Sequence, residues 1–327
     1  MQTRPLGATG VHLSALGFGC MGLVGWYGTR NDEEARATLL EAIDRGINHL
    51  DTATSYQKGE NEKFVGATIR GRRDSLFLAS KYGIERDASG KMYIDNRPES
   101  VKAAVDASLQ RLGVDYIDLY YLHRIDPNVP IEDSVGALKD LIVAGKLRFA
   151  GLSECSVQTL RRACAVHPIA AVQSEYSLWA REPEQGILAA CRELGVAFVA
   201  YSPLGRGFLA GNFRSVSDLP PDDHRRNMPR FQEENAAHNA RIVEIVRDMA
   251  TRKGCSAAQI ALAWVLAQGE HIHPIPGMKT RAHLRDNLAA VDLQLTPDEL
   301  QSLTQAVSQI EVRGERHAPA MMKTVDR

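Results

Sequence analysis

The 327 residues carry 39 Lys and Arg against 40 Asp and Glu, a balance that leaves no field to favour nucleic acid or an anionic membrane surface and points to a small-molecule partner. Cys20, Cys155, Cys164, Cys191 and Cys255 are scattered, odd in number and free of metal-ligand spacing; neither a disulfide framework nor a metal site is indicated, and they read as reduced, mostly buried thiols. No apolar leader opens the sequence and no window holds the roughly eighteen uninterrupted apolar residues of a membrane span, so a cytoplasmic protein is expected, long enough for two small domains or one large α/β barrel.

In chain order, "TRPLGATGVHLS" comes first, with glycine turn chemistry between two short runs, and is expected as a small hairpin plugging a barrel bottom. The first strand, "ALGFGC" (15–20), runs into "GFGCMG", Gly17 to Gly22, which matches the dinucleotide fingerprint G-x-G-x-x-G. That fingerprint needs a helix opening on its last glycine. Here Gly25, Gly28 and the Trp26-Tyr27 pair delay any helix until Asn31 or Asp32, a good N-cap, so the glycines end a strand and enter a loop.

Seven further apolar strands are expected at 47–53, 76–81, 117–123, 147–153, 169–174, 196–202 and 272–277. Between them lie helical stretches such as "DEEARATLLEAIDRG", "RPESVKAAVDASLQRLG", "IEDSVGALKDLIVAGK", "SVQTLRRACAVH", "EPEQGILAACRELG" and "SAAQIALAWVLAQG", several closed by glycine. Eight near-continuous apolar strands with crossover helices predict a closed parallel (β/α)8 TIM barrel as a single domain over 1–327. One segment breaks the rhythm. From Gly205 to about Glu234 the chain is long, polar and rich in proline and arginine, at the face where barrel active sites lie; it reads either as a surface insertion or as a flap. Beyond Val312 no core periodicity remains, and 312–327 is expected as a loosely ordered tail.

Polar residues at the C-terminal ends of barrel strands are the ones to ask about. The second expected strand reaches Asp51, with Tyr56 in the loop that follows; the third ends in Lys81 and the fourth in His123. Taken singly, each has an ordinary explanation as a turn cap, a rim tyrosine, a solvated lysine or a hydrogen-bonded histidine. Together, on three successive strands, they suit proton donation to a carbonyl oxygen as a hydride reaches its carbon. Lys81 would lower the pKa of Tyr56, Asp51 would orient Lys81, His123 would orient the substrate oxygen, and a nicotinamide would be the hydride source.

These residues carry a resemblance. With "GINHLDTATSYQKGENEKFVG", "LFLASKYG", "SLQRLGVDYIDLYYLHRID", "FAGLSE", "AVQSEYSLW", "VAYSPLGRGFLAG" and "HPIPGMKTRAHLRDNL", the chain resembles the aldo-keto reductases over nearly its whole length, in the bacterial and plant-type branch with Gly-Leu-Ser-Glu after strand five. The resemblance implies a (β/α)8 barrel binding NADP(H) across its C-terminal face, with a catalytic tetrad at Asp51, Tyr56, Lys81 and His123. By the same resemblance Gly19, Cys20 and Met21 lie close to the nicotinamide, Ser153 and Gln173 hold its carboxamide, and Tyr201 stacks on its ring. Ser202, Pro203, Leu204, Gly205 and Gly207 pass the pyrophosphate. Gly277, Lys279, His283, Asp286 and Asn287 bind the adenosine end, with Lys279 as the 2′-phosphate ligand that favours NADPH over NADH. The flap of 205–234 becomes a clamp. Two departures stand out: Glu154 replaces the commoner Asn after Ser153, and His283 stands where Arg or Gln is commoner.

The substrate mouth is expected to be lined by Trp26, Tyr27, Tyr82, Arg124 and Trp179, aromatic walls that suit aryl or alkyl aldehydes and ketones. Trp26 equally reads as a rim residue, and Arg124 either selects an anionic substrate or pairs with Asp126. The expected function is an NADPH-dependent carbonyl reductase. The alternatives are a nucleotide-sensing regulatory subunit with slow turnover and a dehydrogenase working towards alcohol or sugar oxidation.

Overall fold

The expected alternation closes into a ring in the computed structural model, which describes residues 1–211 and 215–326. The strands, in chain order, are β1 (Thr3–Pro5), β2 (His12–Ser14), β3 (Phe18–Gly19), β4 (His49–Asp51), β5 (Phe77–Tyr82), β6 (Ile84–Arg86), β7 (Met92–Ile94), β8 (Ile117–Leu122), β9 (Leu147–Ser153), β10 (Ile169–Glu175), β11 (Ala197–Tyr201) and β12 (Ile272–Ile275). Eight of them pair in parallel in the order β12-β11-β10-β9-β8-β5-β4-β3, and a parallel bridge from Gly19 to Gly277 brings the two ends of the sheet together as a (β/α)8 barrel.

That closure explains the glycines of "GFGCMG". A Cβ on Gly17 would lie 2.7 Å from His49 Nδ1, and one on Gly19 would lie 2.7 Å from the Ile275 carbonyl. The backbone of β3 is wedged between its neighbours, so the glycines serve close approach within the sheet. A single 3-10 turn, Cys20–Val24, follows, and helix α1 (Asp32–Asp44) starts only after Asn31, whose side chain accepts from Glu34 N.

The β1–β2 hairpin plugs the N-terminal end of the barrel. Leu6 and Leu13, both fully buried, pack with Phe77, Ala79, Leu119 and Ala197 inside the ring. A second cluster fills the space between the strands and the surrounding helices. The structure departs from expectation in three places. The ladder of β3 is two residues rather than six, because the chain must leave the sheet at Gly19 to form the first loop. An antiparallel hairpin, β6–β7, follows the third barrel strand. The C-terminal segment is not a loose tail: Arg316 and His317 are buried, and Asp326 hydrogen-bonds both ways with the loop after β9, through its amide to the Glu154 carbonyl and through its carboxylate from Ser156 N. No helix among the described residues is long and apolar enough to cross a membrane.

Candidate active site

The C-terminal ends of the barrel strands open into a cleft of about 1620 Å3, more than the roughly 300–1,000 Å3 that a drug-sized molecule fills. Asp51 ends β4, Lys81 lies near the end of β5 and His123 directly follows β8; all three are buried. Tyr56 comes from the loop after β4, in a short turn where Gln57 and Lys58 both take positive φ, 50° and 53°. Such conformations are costly for residues with a Cβ and persist where the surroundings enforce them. Here they bring the Tyr56 hydroxyl to 3.4 Å from Lys81 Nζ.

Lys81 has no exposure, and its ammonium donates to Asp51 and, at 2.8 Å, to the Thr52 carbonyl. Gln173 Nε2 donates to the other Asp51 oxygen at 2.8 Å. The His123 ring stands edge-on to Tyr56, 5.9 Å between centroids, with Nδ1 3.4 Å from Ser55 Oγ. Burial raises Asp51 and lowers Lys81, and their mutual attraction opposes both shifts. An ion pair so deep is kept only because each charge is hydrogen-bonded and the two cancel.

Burial overturns one expectation. Tyr56 is pushed well above the ordinary tyrosine value, chiefly by burial and then by the Asp51 charge, rather than lowered by Lys81. Burial holds the phenol protonated, while the Lys81 ammonium donates to Asp51. His123 is driven well below the ordinary histidine value by burial and by the Lys81 and Arg124 charges, and is neutral.

Around these groups the cleft is lined by Gly19, Met21, Trp26, Tyr27, Tyr82, Arg124, Ser153, Gln173, Tyr201, Ser202, Pro203, Leu204, Gly207, Gly277, Lys279, His283, Asp286 and Asn287. Four residues expected at the site do not line it. Lys81 lies beneath Tyr56. Cys20 is buried with its thiol towards the Phe18 carbonyl. Gly205, at φ +55°, packs so tightly against Trp179 that a Cβ would lie 2.6 Å from its Nε1. Trp179 is itself buried, stacked on Phe208 at 4.7 Å, and forms part of an aromatic cluster with Phe231 beneath the long loop instead of a substrate wall.

The described part of the 205–234 segment, four short 3-10 turns, crosses to the first loop; its residues 212–214 lie outside the described residues. His224 N donates to the Trp26 carbonyl, Gly28 N to Asp223 Oδ2 at 2.9 Å, and Lys279 from the last barrel loop donates to the carbonyls of Tyr27 and Thr29. Loops one, seven and eight are thereby joined into a strap.

The C-terminal segment closes the same face with side chains that the sequence reading missed. Arg316 grips both Glu154 oxygens, at 2.7 and 2.5 Å, and the Tyr201 hydroxyl donates to Glu154 at 2.7 Å. His317 Nε2 lies 3.0 Å from that hydroxyl, while Arg206 reaches Glu175 and the Arg316 carbonyl. Burial would raise the Glu154 carboxyl, but the Arg316 hydrogen bonds and charge bring it down to about 2. Glu154 therefore faces an arginine rather than a ligand, and it holds positive φ (55°), as do Ser202 (49°) and Arg206 (56°).

The chain's sequence matches the model of the aldo/keto reductase family over residues 15–308. It belongs to the aldo/keto reductase family. Its similarity to the Schizosaccharomyces pombe aldo-keto reductase yakc, named for NADP(+), is 43% identity over 325 residues, 98% of this chain and 95% of that protein. Among solved structures, this aldo/keto reductase is similar to a glycerol dehydrogenase from Gluconobacter oxydans, with a TM-score of 0.84 at 28% identity over 97% of this chain and 98% of that one. It is also similar to an aldo-keto reductase from Bacillus halodurans in its holo form, with a TM-score of 0.78 at 28% identity over 97% and 100%.

Proposed function

We propose that this aldo/keto reductase uses NADP(H) to reduce aldehyde or ketone carbonyls, and that the same residues support alcohol oxidation in reverse. The observation that carries the proposal is the Tyr56 phenol, 3.4 Å from a lysine that is itself held by Asp51, at the floor of a cleft large enough for a dinucleotide and a small substrate.

An extended cofactor suits the residues present. Ser153 Oγ and Asn287 Nδ2 line the cleft, buried and without a hydrogen-bond partner among the described residues, and buried polar groups of this kind call for a ligand that satisfies them. Ser153 is assigned to the nicotinamide carboxamide together with Gln173, whose Nε2 is spent on Asp51 and whose carbonyl is left to accept. The Tyr201 ring is assigned to the nicotinamide face, its hydroxyl tethered behind by Glu154. The backbone of 202–207 is assigned to the pyrophosphate, and Gly277, Lys279, His283, Asp286 and Asn287 to the adenosine end. NADPH, when bound, supplies the hydride that reduces the carbonyl carbon. The NADP(+) in the yakc name supports this choice of cofactor.

Tyr56 donates the proton to the substrate oxygen. A phenol this strongly held in its protonated form keeps that proton until charge develops on the oxygen, and the nearby Lys81 ammonium then stabilises the phenolate left behind. Asp51 fixes Lys81, and neutral His123 directs the carbonyl oxygen towards Tyr56. The test is the loss of NADPH absorbance with aromatic aldehydes, diketones and sugar aldehydes, run beside Tyr56→Phe and repeated with NADH. Turnover that requires Tyr56 and prefers NADPH supports the proposal; tight NADPH binding with no turnover across the panel overturns it in favour of a nucleotide-sensing role.

A further inference from the structure

Arg124 directly follows His123 and lines the cleft, yet only 4% of it is exposed. Its side chain makes one hydrogen bond among the described residues, from Nη1 to the His123 carbonyl at 2.7 Å. Nε is buried with no partner, and the guanidinium forms no ion pair among the described residues. The sequence offered Asp126 as its partner, but that carboxylate accepts from the Asn128 amide at 2.9 Å, from Asn128 Nδ2 and from Asn96 N. Glu154 is taken by Arg316.

The contrast with the other buried arginines is instructive. Arg206 pairs with Glu175, Arg316 with Glu154, and Arg230 faces Glu175 and Glu182. Arginine does not give up its charge, and an unpaired charge held away from water is expensive. Such a charge in a cleft wall is compensated when a ligand arrives. Trp26 Nε1, from the first loop, also lines the cleft as a buried donor without an acceptor among the described residues. The Arg124 charge bears on Tyr56 and His123, and also on Glu154, whose carboxylate is hydrogen-bonded to Arg316.

We infer that Arg124 is a specificity-determining residue whose guanidinium takes the carboxylate of the substrate, and that the preferred substrates are aldehydes or ketones that carry a carboxylate. The inference rests on the carbonyl-reductase reading above. A planar guanidinium edge offers two parallel N–H groups, the geometry a carboxylate accepts in bidentate fashion.

The experiment compares acids with their methyl esters: the three carboxybenzaldehydes, succinic semialdehyde and glyoxylate, with glyceraldehyde 3-phosphate as the phosphate arm. For at least one spacing the acid should exceed its ester in kcat/KM, and Arg124→Gln should cut that acid-to-ester ratio by about tenfold to a hundredfold, mainly through KM, with Arg124→Lys in between. A second readout needs no turnover: calorimetric titration of the NADP+-saturated enzyme with benzoate and with neutral benzamide, where Arg124→Gln should abolish the preference for benzoate. The inference is overturned by a wild-type enzyme that favours no acid, by a ratio that Arg124→Gln leaves unchanged, by preference for the phosphate over every carboxylate, or by an NADPH Kd that weakens more than the ratio does. If no aldehyde is reduced, the carbonyl-reductase reading fails on its own account, and the benzoate titration still decides whether Arg124 binds a carboxylate.

Discussion

The Tyr201 hydroxyl donates to a carboxylate, Glu154, whose two oxygens are also gripped by Arg316, 162 residues further along the chain. The ring at the end of the seventh barrel strand is thus held from behind by the C-terminal segment. Arg316→Ala would leave the Glu154 charge buried and unpaired, and is expected to cost about 3–5 kcal/mol of stability in denaturant unfolding. The double variant Glu154→Gln/Arg316→Met should recover most of that loss. Similar loss in both would mean that the segment contributes through packing instead of through this pair.

Tyr56→Phe removes one hydroxyl and little else. The expected result is a fall in kcat of about 10²–10⁴-fold with NADPH affinity, followed by cofactor fluorescence, within roughly twofold of wild type. Equal losses in both would remove Tyr56 from the role of proton donor.

Lys279 is fastened to the Tyr27 and Thr29 carbonyls, so it is both a strap anchor and the candidate partner of a 2′-phosphate. Lys279→Ala should weaken NADPH by about tenfold or more while NADH changes far less, since a charged hydrogen bond is worth roughly 1.5–3 kcal/mol and only NADPH carries the extra phosphate. Parallel weakening of both cofactors would leave Lys279 with the anchoring role alone.

Inside the barrel, burial drives His49 and His273 down to about 3. Neither His49 nitrogen has a hydrogen-bond partner among the described residues. The unfolded chain binds protons at these residues near pH 6.5 and the folded chain does not, so their stabilising contribution is complete above that value and is lost as the pH falls towards 3. At pH 5.5 the two together should cost about 3 kcal/mol relative to neutral pH. Tm measured from pH 7.5 to 5.0 should fall accordingly, and His49→Gln should flatten the slope; an unaltered slope would mean that other groups carry it.

The barrel was legible because its strands are short apolar runs separated by amphipathic helices, and the four groups at the cleft floor because polar residues stand out at the ends of such strands. The C-terminal segment was not legible for the same reason in reverse. Arg316 and His317 are buried by pairing with Glu154, Tyr201 and Arg206, and a hydrophobic pattern carries no trace of a polar side chain whose partner lies more than a hundred residues away. Trp179 misled because an aromatic residue near a strand end reads as a wall, whereas here Phe208 and Phe231 arrive from the long loop to cover it. The protonated state of Tyr56 comes chiefly from its burial and then from the Asp51 charge, which spacing along a chain does not encode.

The strap has one further property. Of the three tryptophans, Trp264 is fixed in the core by its bond to Thr304 and Trp179 is sealed in its stack, while Trp26 sits on the seam itself, edge-on to His224 at 4.7 Å with its indole N–H facing the cleft wall unpartnered. Opening the strap would strip the imidazole from that indole and admit water, and a ligand beneath it would offer the N–H an acceptor. The enzyme thus carries its own optical gauge of loop closure, and Trp26→Phe provides the blank against which to read it.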